Sequence, residues 1–143
     1  MSNIVTWQGR QYLRRIRFYV AKVTRSATAS AQFTATITTD PNADAPFLLS
    51  SLHASDTADG KDLTNQEPWL CQIRDNQASY QWSETPTPRD AMFGDRITGG
   101  ILPVEVPILG NTQISITVQN AAANMTAGDA YLTLRGFQLM PLK

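Results

Sequence analysis

The chain holds one cysteine and one histidine in 143 residues, and those two shortages remove most of the chemistry a sequence can announce. Cys71 has no partner for an intrachain disulfide. Inside the strand-like run Trp69-Leu70-Cys71-Gln72-Ile73 it reads as a small buried hydrophobe. A structural zinc site needs several Cys or His ligands, which Cys71 and His53 together do not supply. Ser50, Ser51 and Ser55 flank His53, but neighbours along a strand point to alternating faces, and the G-x-S-x-G turn that exposes a nucleophilic serine is missing. Long apolar runs are missing too. None approaches the roughly 18 residues of a membrane span, and MSNIVTWQGRQYLRR lacks the apolar core of a secretion signal. These absences point to a soluble, non-enzymatic protein made in a reducing cytoplasm, with no catalytic residue, cofactor or metal ligand to assign.

Acidic residues are absent from the first part of the chain. Arg10, Arg14, Arg15, Arg17, Lys22 and Arg25 all precede Asp40, the first carboxylate, whereas acidic residues outnumber basic ones from there to Arg96; the formal net charge is zero. A basic segment 1–25 ahead of an acidic middle suits contact with an acidic neighbour or with another copy of the chain. Nucleic acid is disfavoured as a partner, because no helix, Gly-rich or base-stacking motif surrounds the basic residues.

What the chain does have is period-2 alternation. Ile114, Ile116 and Val118 alternate with Gln113, Ser115, Thr117 and Gln119, and Phe33, Ala35 and Ile37 alternate with Gln32, Thr34, Thr36 and Thr38, the spacing of half-buried strands. Residues 12–23 place Ile16, Phe18 and Val20 on one parity and Arg15, Arg17 and Tyr19 on the other. The short Thr/Ser/Ala link to the next strand suggests a hairpin or adjacent strands. Further strands are expected at 46–54, 69–75, 78–83 and 101–109, the last an edge because of Pro103 and Pro107. In the final strand Ala130, Leu132 and Leu134 share one parity and Phe137 and Leu139 the other, with Gly136 at a bulge that switches the phase. From Thr85 to Gly100 prolines and glycines leave little room for a regular element. The expectation is all-β: one antiparallel β-sandwich domain over 1–143, jelly-roll-like, with about eight strands.

Other constellations fall short of a site. Asp56, Asp59 and Asp62 around Gly60 resemble part of a calcium loop, but the spacing fails and the closing glutamate is missing, so they read as a solvated acidic loop. Glu67 and Glu84 as a glycosidase pair rest on nothing beyond both being carboxylates. Trp7, Trp69, Trp82 and Tyr80 offer a stacking platform for a sugar, although aromatics on strands more often build a core. Asn124-Met125-Thr126 fits a glycosylation acceptor, which without a secretion signal is coincidental.

The succession PFLLSSLHAS, QIRDNQASYQWSETPTP, GGILPVEVPILGNTQISITVQN and AYLTLRGFQLMP, from Pro46 to Leu142, resembles small virion structural proteins of tailed bacteriophages. Its pieces are Gln72-Ile73-Arg74-Asp75 leading to Trp82-Ser83, Leu102-Pro103-Val104, the Gly110-Asn111-Thr112 turn and Tyr131 to Phe137; the basic N-terminal strand has no counterpart. The resemblance implies a β-sandwich subunit that decorates or cements the capsid and stabilises the head. Its partners would be the major capsid protein and further copies of itself, as a homotrimer in the virion. Arg10, Arg14, Arg15, Arg17, Met92, Phe93 and Ile97 are the expected contacts. A tail- or fibre-associated carbohydrate-binding module is the alternative.

Overall fold

The computed structural model describes residues 3–56, 69–94, 99–121 and 127–142, which form ten strands and one short helix. β1 (Ile4–Trp7) and β2 (Arg10–Arg25) make an N-terminal hairpin. β3 (Gln32–Thr38), β4 (Phe47–Asp56), β5 (Leu70–Asp75), β6 (Tyr80–Gln81) and β7 (Thr87–Pro88) follow, then α1 (Arg89–Phe93), β8 (Gly100–Ile108), β9 (Gln113–Gln119) and β10 (Gly128–Pro141). One sheet runs β1-β2-β10-β4-β8 and the other β3-β9-β5-β6, with β7 also on β5. All described pairings are antiparallel. The eight strands other than β1 and β7 change sheet at nearly every step, which winds them as a jelly roll. The expected sandwich is the observed fold.

Its core is the space between the sheets. Ile114, Ile116 and Val118 from β9, Cys71 and Ile73 from β5, Leu49 and Leu52 from β4, and Ala130, Leu132 and Leu134 from β10 are buried there in one cluster. β5, β9 and β10 contribute alternate residues, so the row between them stays on the outside. β8 is an end strand of its sheet, as its prolines require.

Three expectations need correction, and the facing of β2, which the sequence leaves open, is fixed. β2 and β3 are not paired with each other: the link between them carries the chain from one sheet to the other. Polar side chains hold this crossing. Buried Arg25 donates from Nη1 to Asn120 Oδ1 at 3.2 Å, and Asn120 Nδ2 donates to the carbonyls of Ser26 and Thr28 at 2.8 Å each. Arg25 is therefore part of the frame and not of a solvent-facing basic run.

β2 turns its faces the other way from the obvious apolar row. Tyr19, Ala21 and Val23 point inward, while Ile16, Phe18 and Val20 point out. Secondly, the bulge lies where Gly136 suggested, but the extra residue is Ser50 of β4: Arg135 pairs with Ser51 and Gly136 with Leu49. The phase change consequently falls in β4, whose inward residues shift from Phe47 and Leu49 to Leu52 and Ala54. β10 keeps one inward row from Ala130 through Gln138. Thirdly, the Thr85–Gly100 stretch contains β7 and α1, and Phe93 at the end of α1 is core, with its ring edge-on to Trp69 at 5.8 Å.

Candidate interaction face

The outer face of the β1-β2-β10-β4-β8 sheet is the least ordinary surface of the molecule. Ile16, Phe18 and Val20 are 71 %, 53 % and 57 % exposed along consecutive outward positions of β2, and half-buried Phe137 lies beside them on β10. Isolated exposed hydrophobics are commonplace; a row of them on a flat strand face is the kind of patch that a partner covers. Guanidinium groups frame it. The Arg14 guanidinium sits 4.5 Å above the Phe137 ring and that of Arg135 5.5 Å from the Phe18 ring. Each such stack contributes about 0.5–1 kcal/mol at an exposed site and holds ring and cation together as one surface.

Around the row the sheet is hollowed. A groove of about 180 Å³ runs between Ile16 and Phe18 on one side and Ser50, Ser51 and Phe137 on the other, and a hollow of about 430 Å³ opens beside Arg14 and Asn3. At the groove the Ser50 bulge lets β4 approach β10 across a residue without a side chain. A Cβ on Gly136 would lie 1.9 Å from the Leu48 carbonyl oxygen. At the hairpin end of the same face, Tyr12, Leu48 and Leu139 are buried with Val5 and Trp7 packed on them, which anchors β1 and stiffens the platform.

The opposite outer face is different in kind. There Gln32, Thr34 and Thr36 of β3 stand beside Gln119, Thr117 and Ser115 of β9, with Gln32 Nε2 donating to Gln119 Oε1 at 3.2 Å and the Thr34 and Thr117 hydroxyls also 3.2 Å apart. That face is polar, with Arg74 of β5 beside Ser115, and its β3 and β9 side chains are hydrogen-bonded to each other.

The structure divides the expected contacts. Arg10 is exposed where β2 begins, and Arg14 is on the apolar face, over Phe137. Strand alternation carries Arg15 and Arg17 to the side of Tyr19, and the Arg17 guanidinium covers the Tyr19 ring at 4.8 Å. Met92 lines a separate cleft, Phe93 is buried, and Ile97 lies outside the described residues. Sequence reasoning missed Arg135 and the outward row of β2. Both rows of that strand are apolar near its middle, so alternation by itself does not say which faces the core.

The other candidates also find their places. Asp56 is not part of the expected solvated loop but ends β4 fully buried, accepting Trp69 Nε1 at 2.9 Å and Arg89 Nη1 at 2.8 Å. Asp59, Asp62, Glu67 and Asn124 to Thr126 lie outside the described residues, and Glu84 is exposed. His53 Nε2 accepts from Arg135 Nη1 at 2.9 Å, while the Ser50 hydroxyl donates to the Arg135 carbonyl rather than to the imidazole. Among the described residues no group of three or more His, Cys, Asp and Glu side chains is placed to hold a metal. The four aromatics do not form one platform. Trp69 is core and Trp7 belongs to the hairpin cluster, but Tyr80 and Trp82 together line a cleft of about 530 Å³ with Asp75, Met92, Leu102 and Val106.

No protein family, curated protein or solved structure compared with this chain matches it.

Proposed function

We propose that the chain is a non-enzymatic structural protein of a tailed-phage virion, a decoration or cement subunit that docks on the major capsid protein through the outer face of the β1-β2-β10-β4-β8 sheet. The observation that carries this reading is the exposed row Ile16, Phe18 and Val20 with Arg14 and Arg135 stacked on the neighbouring rings. An apolar centre bordered by arginines is the composition of protein-binding surfaces, and strands hold it in place before the partner arrives. The sequence resemblance from Pro46 to Leu142 supplies the virion context. The jelly roll itself does not choose, because shell proteins and lectins both use it.

Heads of the encoding phage assembled without this chain provide the test. Added wild-type protein should co-sediment with them, and Ile16→Ser/Phe18→Ser should bind about tenfold or more weakly, the effect of losing a central apolar anchor. Arg14→Glu should weaken binding chiefly at low salt, since screening removes the long-range part of its attraction. Equal binding by all three proteins would remove the face from the mechanism. A second reading, carbohydrate binding, draws on the exposed Tyr80 ring and Trp82 beside the Asp75 carboxylate in the cleft. The apolar walls of Leu102, Val106 and Met92 suit a sugar less well, and glycan-array signal abolished by Tyr80→Ala would promote it.

A further inference from the structure

Each sheet of a sandwich ends in strands with unpaired backbone groups, and these ends invite other strands unless something discourages them. Here nearly every end is guarded. β8 carries Pro103, Glu105 and Pro107, β6 is two residues long, β1 is four, and the part of β2 beyond β1 displays Arg15, Arg17 and Lys22. β3 is the exception. Gln32-Phe33-Thr34-Ala35-Thr36-Ile37-Thr38 has no charge and no proline, is rich in β-branched residues, and pairs on one side with β9 while no described strand pairs with its other side.

The open edge is also self-complementary. Asn120 N donates to the Ala31 carbonyl and Thr39 N to the Thr112 carbonyl. Alternation therefore turns the odd residues Phe33, Ala35 and Ile37 toward β9 and leaves the N–H and C=O groups of Gln32, Thr34, Thr36 and Thr38 facing outward. An antiparallel copy placed about a twofold axis at Ala35 sets Thr34 against Thr36 and Gln32 against Thr38, so the outward groups of these residues meet in hydrogen-bonded pairs. On the core side Phe33, half-buried at the edge, meets Ile37 of the copy; on the outer side threonine meets threonine, a favourable cross-strand pair. β2, which packs over β3, has no described strand beyond Arg14 on this side to obstruct the approach.

We infer that two copies of this chain associate through β3, in antiparallel register about Ala35, to make one continuous sheet across a twofold axis. Such a contact is isologous, the commonest form of self-assembly. It is independent of what the opposite sheet face binds. It also differs from the threefold assembly that the phage resemblance implies, so a mass measurement separates the two.

Light scattering over a concentration series should show wild type moving from 15.8 kDa to twice that mass, and Thr34→Lys/Thr36→Lys remaining at the lower mass with an unchanged circular dichroism spectrum. Under mild oxidation Ala35→Cys should become a disulfide-linked dimer, because opposed residues at a non-hydrogen-bonded antiparallel position have Cα atoms about 4.5 Å apart, within disulfide range. Thr34→Cys, whose own copy lies diagonally across, should not. Buried Cys71 does not interfere. A wild type that stays monomeric or forms trimers, a lysine variant that still dimerises, or equal cross-linking at positions 34 and 35 would each overturn the inference.

Discussion

The contrast between Asp56 and its sequence neighbourhood shows how much a single side chain depends on what folds around it. It closes β4 inside the sandwich, where both carboxylate oxygens are used: Oδ1 by Trp69 and Oδ2 by Arg89, whose guanidinium also lies 5.7 Å from the Trp69 ring. This ties the end of β4 to the start of β5 and to α1. Asp56→Ala leaves the Arg89 charge buried beside an indole N–H without its acceptor, and should destabilise the fold by about 3–5 kcal/mol, read from urea midpoints. A loss within about 0.5 kcal/mol would show the pair to be dispensable.

Cys71 answers to the same burial. Desolvation pushes its thiol up from 9.0 to about 12, so the folded protein keeps a proton that the unfolded chain releases near pH 9. The folded state binds more protons between those values, and its stability, complete below pH 9, falls as pH rises toward about 12. Tyr19 adds to the fall. Burial raises its phenol too, against the lowering effects of the Asp40 amide and the Arg17 charge. Unfolding midpoints at about pH 8 and about pH 10.5 should drop less in Cys71→Ala than in wild type, and identical drops would show that the thiol does not titrate with unfolding.

Among the elements, β4 and β10 together decide the shape of the candidate face. The extra residue Ser50 lets Leu49 and Leu52 both reach the core although they lie three apart, and the absence of a side chain at Gly136 lets the β4 backbone close on β10. Gly136→Ala should cost about 1–3 kcal/mol by forcing the backbones apart. It should also weaken binding at the groove beyond what stability explains, and a variant as stable as wild type would show that the bulge accommodates the methyl group. α1 is too short to be stable alone; the burial of Phe93 against Trp69 holds it in place.

At the scale of the whole molecule, two outer faces and four sheet ends have different tasks. One face is polar and bonded to itself, the other exposes an apolar row between arginines, and among the described strands β3 is the one long uncharged end without a strand beside it. Surface positions that touch no core tolerate change, so Ile16→Ser/Phe18→Ser should stay within about 1 kcal/mol of wild-type stability while losing its partner. Thermal melts accompany the binding measurement, and a variant that unfolds would show these residues to be structural.

Alternation along β3, β5, β9 and β10 was enough to determine a two-sheet sandwich with Ile114, Ile116 and Val118 at its centre, because a period of two leaves a strand only one apolar face to bury. Pro103 and Pro107 announced an edge, since proline lacks the N–H a central strand must donate, and Gly136 marked the bulge. Which face of β2 turns inward was decided only in three dimensions. Both of its rows are apolar, and the choice depends on where β3 and β9 lie across the core, which no local pattern records. The same holds for Asp56, Arg25 and Phe93. Each looks like a solvent-facing or contact residue in its own segment and is buried because elements distant in sequence bring it a partner. The candidate face was half legible: its cations Arg10 and Arg14 stand out as charge, whereas Arg135, Ile16 and Phe18 become one surface only when β2 pairs with β10.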